Sequence, residues 1–494
     1  MGFSTFLTVK CQQCEWKHEF YLSPEIEMKN SPGRNMQDVN LRAVLAFREI
    51  GRGHEAMKMF ASCMNMPLPM AYKSYAVIND LLLDAYKESA NESMVMAGKD
   101  VRTNIVGSDF QNTRVSVDGT WQKRGFSSMN GVVVAISDEG KVLDHQVMSK
   151  LCKSCSIWAK RKGTPEYEEW HTHHSCSMNH SKSSGAMEAE GAVEIFRRSE
   201  TKHKLRYVEY IGDGDAGSFA KVVQSRPYGD SLPQKLECIG HMQKRVGTRL
   251  RNLRKEYKNK VLSDGKKLSG QGRLTDKCIN TLQNFYGLAI RQNQGNLANM
   301  KRAIGAILYH CSNIPDKEIR HQFCPKTKDS WCKWQLDKLN NTSHHKDRIN
   351  LSLAIKHLLE PIFRDLSSDS LLSKCLHGKT QNPNEAFNAC IWQRCPKEVY
   401  VGRDALEIAV NSSVLHYNDG PVSLLNVFKK LNLPAGKFCI SGLTRRTTSR
   451  IKNINSKSTE SAKKSRKRLR GIRKGLLDTE KESEGGDSYQ SGSH

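Results

Sequence analysis

The clearest pattern of hydrophobic and polar positions begins near residue 114. Over seven residues the side chains alternate, with valines on one face and Ser116 and Asp118 on the other, as in a half-buried strand. An uninterrupted apolar run follows, and a third apolar stretch returns after an Asp-Glu-Gly turn. The predicted strands are residues 114–120, 131–136 and 141–147. Because short turns join them, we expect an antiparallel meander.

The pattern then changes to helices that alternate with strands. The predicted elements are a helix over residues 186–202, a strand over 205–211, a short helix over 219–224, a strand near 235–239 and a basic helix from His241. Three antiparallel strands followed by alternating helix and strand predict an α/β fold in layers. This element order is that of a ribonuclease-H-like mixed sheet.

The remaining chain divides by composition. Apolar residues keep helical spacing through most of residues 275–375, and few apolar residues follow residue 440. The predicted organisation is an N-terminal region with a Cys pair and helices (1–110), the first part of the sheet domain (111–260), a helical insertion (261–375), a helix that completes the sheet domain (376–440), and a disordered tail, first basic and then acidic and rich in Gly and Ser (441–494).

Charge and cysteine content narrow the functional classes. The 494 residues contain 77 Lys and Arg against 51 Asp and Glu, a net charge of +26 that favours an anionic partner such as nucleic acid. The basic run at residues 463–470 suits nuclear import and phosphate binding. No apolar run approaches the roughly 18 residues of a membrane helix. The odd number of cysteines, 15, indicates reduced thiols, some of them metal-bound.

Three acidic residues are candidates for a metal-dependent site. Asp118 lies on the first strand and Asp213 ends the fourth, and these strands are neighbours in a ribonuclease-H-like sheet. Two close carboxylates repel each other, and divalent cations relieve the repulsion. Glu385 opens a helix and could supply a third ligand. The alternative is that the aspartates are turn or cap residues and that Glu385 is a first-turn acid favoured by the helix dipole.

Five short motifs occur in a fixed order along the chain. They are Val117-Asp118-Gly119-Thr120-Trp121, Gly212-Asp213-Gly214-Asp215, Glu237-Cys238-Ile239-Gly240-His241, Gly270-Gln271-Gly272-Arg273-Leu274-Thr275-Asp276 and Gly378-Lys379-Thr380-Gln381-Asn382-Pro383-Asn384-Glu385. Together they resemble the Mutator-like transposase domain of animal transposon-derived proteins. The resemblance extends from about residue 3 to about residue 435. It is carried by the five motifs together, because each one alone is unspecific.

The resemblance implies a DNA transposase that cuts and rejoins DNA with Mg²⁺ or Mn²⁺. Asp118, Asp213 and Glu385 would be its acidic triad, with Asp215 as the alternative second acid. Residues 111–260 and 376–440 would form the catalytic domain. Its partners would be transposon ends and target DNA, it would form a homo-oligomer on DNA, and it would act in the nucleus. Cys238 and His241 match a family Cys-x-x-His element that could bind metal or be structural.

A cysteine and histidine cluster after the third strand predicts a structural zinc site. A Cys-x-x-Cys pair is followed about twenty residues later by a His and Cys group, which is zinc-ligand spacing. The predicted ligands are Cys152, Cys155, His174 and Cys176, with His171 and His173 as substitutes. The resemblance also implies that Cys11 and Cys14 belong to a truncated N-terminal zinc module, and the equal alternative is a bare pair of redox-silent thiols. The other cysteines show no metal spacing, and we expect most of them to be buried thiols.

The helix after the fifth strand carries a basic stripe. Its members are Lys244, Arg245, Arg249, Arg251, Arg254 and Lys255. Spacing of four residues places several of them on one face, where they could follow DNA phosphates or simply form a solvated surface. The functional alternatives to an active transposase are a decayed or domesticated DNA-binding descendant, and a generic zinc-containing nucleic-acid binder.

Overall fold

The computed structural model describes most of the chain. The described residues are 2–27, 36–102, 110–123, 128–213, 216–328, 330–343, 345, 349–459, 461, 462, 464–466, 468, 469 and 472. Within-chain contacts divide the protein into two compact units. The first unit is Met1–Phe47, Gly53–Ala90 and Asn411–His494, and the second unit is Arg48–Arg52 and Asn91–Val410.

Strands occupy a small share of the described residues. In chain order they are β1 (Phe6–Lys10), β2 (Lys17–Tyr21), β3 (Glu25–Ile26), β4 (Met36–Gln37), β5 (Gln111–Trp121), β6 (Asn130–Ser137), β7 (Val142–Ser149), β8 (Leu205–Gly212) and β9 (Gln234–Glu237).

Helices make up most of the remaining elements. In chain order they are α1 (Asp38–Glu49), α2 (His54–Cys63), α3 (Tyr72–Val101), α4 (Lys153–Trp158), α5 (Pro165–His173), α6 (Ser184–His203), α7 (Ala216–Gln224), α8 (Ile239–Glu256), α9 (Asp276–Gln292), α10 (Leu297–His310), α11 (Lys317–His321), α12 (Lys333–Asn340), α13 (Leu353–Leu366), α14 (Asp369–Leu372), α15 (Asn382–Arg394), α16 (Arg403–Asn418), α17 (Leu424–Lys430) and α18 (Lys437–Ser458). Short 3₁₀ turns occur at Ala159–Arg161, Ser373–Cys375 and Pro421–Ser423.

The main sheet lies in the second unit and has the order β7-β6-β5-β8-β9 among the described residues. β5, β6 and β7 pair antiparallel, whereas β8 pairs parallel to both β5 and β9. Every residue of β6 is buried, as its unbroken apolar sequence predicts. Gly140, with φ of +83°, makes the tight turn from β6 to β7. This mixed sheet, with helices on its faces, confirms the predicted ribonuclease-H-like α/β fold.

Helix α6 covers one face of the sheet. Its apolar residues Ala192, Ile195 and Phe196 join Val115 and Val117 of β5 in one buried cluster. A side chain at Gly191 would place its Cβ 2.6 Å from Val133, so glycine permits the close approach of α6 to β6. Helix α15 contacts β5 and β6. The alternation seen along β5 therefore separates a buried apolar face from the face that carries Ser116 and Asp118.

Helices after the sheet form a second core within the second unit. α8, α9, α10 and α13 contribute a continuous set of buried apolar side chains, including Leu250, Leu282, Ile304 and Leu359. The helical spacing in residues 275–375 predicted these elements. No helix among the described residues is long and apolar enough to span a membrane.

The first unit contains a β1–β2 hairpin and several helices. The hairpin is mostly exposed and pairs Phe6 with Tyr21. Buried residues of α1 and α2 include Leu41, Val44 and Met57. The guanidinium of Arg42 lies 5.4 Å from the ring centre of Phe428, which brings α1 and α17 together.

The C-terminal segment differs from the sequence-based expectation. Residues 441–458 were expected to be disordered because they are polar, but they form most of helix α18. The Arg450 guanidinium donates to the carbonyl of Tyr417 at 2.9 Å, and Thr447 Oγ1 accepts from the Val422 amide at 3.0 Å. Polar contacts with backbone groups thus replace the apolar burial that the sequence lacks. Residues 473–494, also expected to be disordered, lie outside the described residues.

Candidate active site and metal centres

The predicted first acid, Asp118, lies on β5, and the predicted second acid, Asp213, directly follows the neighbouring parallel strand β8. Ser116 of β5 pairs with Ile211 of β8, and this register, continued by two residues, sets Asp118 beside Asp213. Residues in register on neighbouring strands project to the same face of a sheet. The alternative second acid, Asp215, lies outside the described residues.

The start of helix α15 is attached to β5 by amide side chains. Gln381 Nε2 donates to the Val117 carbonyl at 2.8 Å, and Asn384 Nδ2 donates to the Ser116 carbonyl at 3.1 Å. One turn later, Asn388 Nδ2 donates to Asp118 Oδ2 at 2.8 Å. These bonds fix the helix that carries Glu385 against the strand that carries Asp118.

Glu385 reaches solvent from the first turn of α15. Its side chain is 61% exposed, and its Oε1 lies 4.0 Å from Lys244 Nζ of α8. Among the described residues, the carboxylate oxygens of the three acids do not all lie within 4.8 Å of one another. The structure therefore brings Glu385 into the charge environment of Asp118 but gathers the acids less tightly than it gathers the metal-type clusters described below.

Burial and the two other acids change the electrostatics of Asp118. Burial, reinforced by the charges of Asp213 and Glu385, raises the pKa of Asp118 to about 7 although the hydrogen bond from Asn388 opposes the shift. The same two acids favour the charged form of His241, but burial and Lys244 outweigh them and lower its pKa. A half-buried carboxyl with a raised pKa beside two others is typical of a functional site.

Cys238 of the Cys-x-x-His element contacts backbone groups next to the acidic residues. Cys238 is buried, and its Sγ accepts from the Gln381 amide at 3.3 Å while its own amide donates to the Gly212 carbonyl at 3.3 Å. Cys238 thus links the end of β8 to the start of α15. Neither Cys238 nor His241 belongs to a group of clustered metal-type ligands among the described residues.

Most of the predicted basic stripe on α8 is occupied by internal partners. Arg245 pairs with Glu237 at 3.3 Å, Arg249 with Asp365 at 3.4 Å, and Arg254 with Asp276 at 3.0 Å. Arg251 donates to Asn280 Oδ1 at 2.7 Å and lies 3.7 Å from Asp276. Lys255 is exposed. Of the six residues of the stripe, Lys244 is the one that contacts a predicted acid, Glu385.

The four predicted zinc ligands after β7 come together. The Cys152 and Cys155 sulfurs lie 3.2 Å and 3.3 Å from His174 Nε2, and the Cys155 and Cys176 sulfurs are 3.5 Å apart. All four ligand atoms lie within 4.8 Å of one another, as zinc binding requires. His171, a predicted substitute ligand, stacks instead on Tyr167. This cluster, hereafter the first tetrad, could bind zinc.

Local structure orients the ligands of the first tetrad. Cys152 directly precedes α4, and Thr164 caps α5 by accepting from the Tyr167 amide at 3.2 Å. Trp170 stacks on both Trp158 and His174, with ring centres 5.0 Å and 4.3 Å apart. The stack fixes the His174 ring so that Nε2 faces the thiols.

The thiol of Cys152 is prepared for the thiolate form that metals bind. Burial raises its pKa, but backbone hydrogen bonds from Cys155 and Ser177, together with the Cys155 and His174 side chains, outweigh burial and lower the pKa to about 6. The structure does not gather Cys11 and Cys14 with other metal-type ligands in the described part of the chain.

A second cluster was missed by the sequence analysis. His310, His321, Cys324 and Cys332 place all four ligand atoms within 4.8 Å of one another, and we call them the second tetrad. Cys324 and Cys332 were expected to be buried thiols with no metal spacing. Both are buried, and both also belong to this cluster. The available signal was His321-Gln322-Phe323-Cys324, a two-residue gap that is typical of metal ligands. The other two ligands lie too far along the chain for a compact motif.

The sequence was compared with models of known protein families. The family model described as Mutator-like transposase matches residues 1–332 of the 494. The matched region contains Asp118, Asp213 and both tetrads, and it ends before Glu385. A search of curated proteins finds no match.

Proposed function

Because the chain belongs to the Mutator-like transposase family, we propose that it is a divalent-metal-dependent DNA transposase with Asp118, Asp213 and Glu385 as its acidic triad. The observation that carries the proposal is that Asp118 of β5 is in register with Asp213, which directly follows β8, and that the helix of Glu385 is hydrogen-bonded to β5. The reaction class and the candidate triad come from the family resemblance, and this geometry supports them.

The donor set suits Mg²⁺ or Mn²⁺. Carboxylate oxygens are the ligands these hard cations prefer, and a carboxyl whose pKa is raised to about 7 by burial and by the charges of Asp213 and Glu385 gains most from a cation. When bound, two such ions would activate a water or hydroxyl nucleophile and stabilise the leaving oxygen of a phosphodiester. Asp118 and Asp213 would hold the ions from the sheet, and Glu385 would complete the site from α15.

Neighbouring side chains have supporting roles in this proposal. The amide of Asn388 orients the Asp118 carboxylate, and Gln381 with Asn384 sets the distance between α15 and the sheet. Lys244 would contact a phosphate oxygen of the DNA next to Glu385, because its ammonium is 4.0 Å from that carboxylate and 67% exposed.

The first tetrad would hold a structural zinc ion. Three cysteines and one histidine form a closed ligand set with no vacant position for substrate. Zinc would fix the segment between β7 and α6, whose helices α4 and α5 have no buried residues of their own.

The proposed partners, assembly and cellular location rest on the net charge of the chain and on its family. DNA would be the partner, as transposon ends and as target, and a homo-oligomer would assemble on it. The net charge of +26 favours binding to phosphates. The basic run at 463–470 would direct the protein to the nucleus, which replacing its Lys and Arg residues in a fluorescent fusion would test.

DNA cleavage by purified protein tests the proposal. Supercoiled plasmid and a duplex with transposon ends are incubated with Mg²⁺ or Mn²⁺ and with the wild type, Asp118→Asn, Asp213→Asn or Glu385→Gln. We expect nicking or joining by the wild type and its loss in each variant. The matched control is Asp230→Asn, a fully exposed carboxylate outside the site.

The alternative function is a DNA-binding descendant without catalysis. It predicts salt-sensitive DNA binding with no cleavage by the wild type in either metal. Cleavage that persists in Asp118→Asn would instead refute the assignment of the triad while leaving family membership intact.

A further inference from the structure

The segment between α10 and α13 has almost no hydrophobic core. In the described part of residues 312–350, the buried hydrophobic residues are Cys324 and Cys332, while Ile319, Trp331 and Leu339 are about half exposed. Backbone hydrogen bonds join its two ends, from the Asn313 amide to the Leu351 carbonyl and from the Leu351 amide to the Cys311 carbonyl. A segment of about 40 residues without an apolar core commonly needs a metal or disulfides.

The second tetrad occupies the centre of this segment. His310 ends α10, His321 ends α11, and Cys332 directly precedes α12, so the four side chains join three helices. Three of the four are almost completely buried, with 1% exposure for His321 and 0% for both cysteines.

The distances within the tetrad match tetrahedral zinc coordination. The Cys324 sulfur lies 3.6 Å and 3.8 Å from the Nδ1 atoms of His310 and His321, and the Cys332 sulfur lies 3.7 Å and 3.5 Å from the same atoms. Zinc bonded to sulfur at about 2.3 Å and to nitrogen at about 2.05 Å in a tetrahedron separates sulfur from nitrogen by about 3.6 Å.

Hydrogen bonding alone does not account for this arrangement. Each Nδ1 carries either one proton or one lone pair, so it can make one hydrogen bond in the ring plane. Here each Nδ1 lies at nearly equal distance from two sulfurs, and each sulfur lies between two nitrogens. One central cation satisfies all four contacts at once.

Surrounding residues hold both histidine rings in place. The His321 ring stacks on Trp334 with centres 4.7 Å apart, and its backbone carbonyl accepts from buried Gln335 at 3.0 Å. The His310 ring meets Trp331 edge-on at 5.0 Å, and Arg320 donates to the His310 carbonyl at 3.2 Å. Such outer contacts are what orients the ligands of a metal site.

From this geometry we infer that His310, His321, Cys324 and Cys332 bind a second, structural zinc ion that holds the segment between α10 and α13. Two thiolates and two neutral histidines with Zn²⁺ carry no net charge, which suits a buried site. The first tetrad, with three thiolates, would keep a net negative charge and is more exposed. The inference does not depend on transposase activity.

Zinc content of the purified full chain tests the inference. We expect about two zinc ions per chain in the wild type, about one in Cys152→Ser/Cys155→Ser, and about one in Cys324→Ser/Cys332→Ser. Cys278→Ser, which alters a buried thiol of α9 outside both tetrads, is the matched control and should keep both ions.

The Cys152→Ser/Cys155→Ser variant decides the result even if Cys324→Ser/Cys332→Ser fails to fold. Its remaining metal, exchanged for Co²⁺, should give the visible absorption of a tetrahedral site with two thiolates. A folded Cys152→Ser/Cys155→Ser variant with no zinc and no such Co²⁺ spectrum would overturn the second site. A wild-type protein that holds both zinc ions but does not cleave DNA would instead count against the proposed function alone.

Discussion

Replacing Asp118 by Asn should stabilise the metal-free protein at neutral and alkaline pH. The folded-state pKa of Asp118 is raised to about 7 from its ordinary 3.8, so the folded protein retains a proton that the unfolded chain releases. Stability contributed by that proton is present at low pH and is lost as pH rises toward 7. Asn has the same shape, carries no charge and can still accept the Asn388 hydrogen bond.

The expected magnitude follows from linkage. Each pH unit between about 4 and about 7, the ordinary and the raised pKa of Asp118, costs the wild type up to about 1.4 kcal/mol, or about 4 kcal/mol over this range. Because Asp118 is half-buried and retains some contact with water, we expect roughly half of that. Asp118→Asn should therefore gain about 2 kcal/mol over the wild type as pH rises from about 4 to about 7, and should keep this gain at higher pH.

Urea unfolding followed by tryptophan fluorescence would measure this difference. Of the seven tryptophans, only Trp16 lies in the first unit, so the signal reports mainly on the second unit. Asp230→Asn serves as the control and should follow the wild type. Mg²⁺ or Mn²⁺ should then stabilise the wild type and not Asp118→Asn. Equal pH dependence in wild type and Asp118→Asn would refute the assembly of an acidic site around Asp118.

Three further predictions concern other charges and the zinc. Asp144→Asn should lower the free energy of unfolding by about 3–5 kcal/mol, measured by urea unfolding, because it leaves Arg198 and Lys202 beside a buried neutral group. Since these cations lower the Asp144 pKa against the effect of burial, the wild-type advantage should disappear as pH falls through that lowered pKa. Lys244→Ala should weaken DNA binding and reduce the salt slope by about 1 in titrations, whereas Arg254→Gln should change little because that guanidinium is already paired. Zinc chelation should make the segment between β7 and α6 sensitive to protease, and unchanged digestion would contradict the structural role of the first tetrad.

Local patterns predicted the sheet well because each strand carries its own periodicity. The alternation around Asp118, the apolar run of β6 and the turn at Gly140 are short-range signals, and the observed order β7-β6-β5-β8-β9 follows from them with few alternatives. The first tetrad could also be predicted from the sequence, because Cys152 and Cys155 form a short Cys-x-x-Cys motif. The resemblance to a family supplied the link from these elements to Glu385, which local pattern alone could not provide.

Long-range contacts account for what the sequence did not reveal. The second tetrad draws ligands from His310 to Cys332 with only one short spacing among them. The partners of the basic stripe, such as Asp276 and Asp365, lie on other helices, so the sequence could not show that Arg249 and Arg254 are already paired. Helix α18 was missed because polar hydrogen bonds, rather than apolar periodicity, attach it to its neighbours.

Direct location of Mn²⁺ tests the central claim most directly. In crystals of the full chain soaked with Mn²⁺, anomalous scattering identifies the ion without reference to activity. The account predicts an ion bridging the carboxylates of Asp118 and Asp213, at about 2.0–2.4 Å from their oxygens, with Glu385 turned toward it. Mn²⁺ bound elsewhere, with none near Asp118, would contradict the proposed active site.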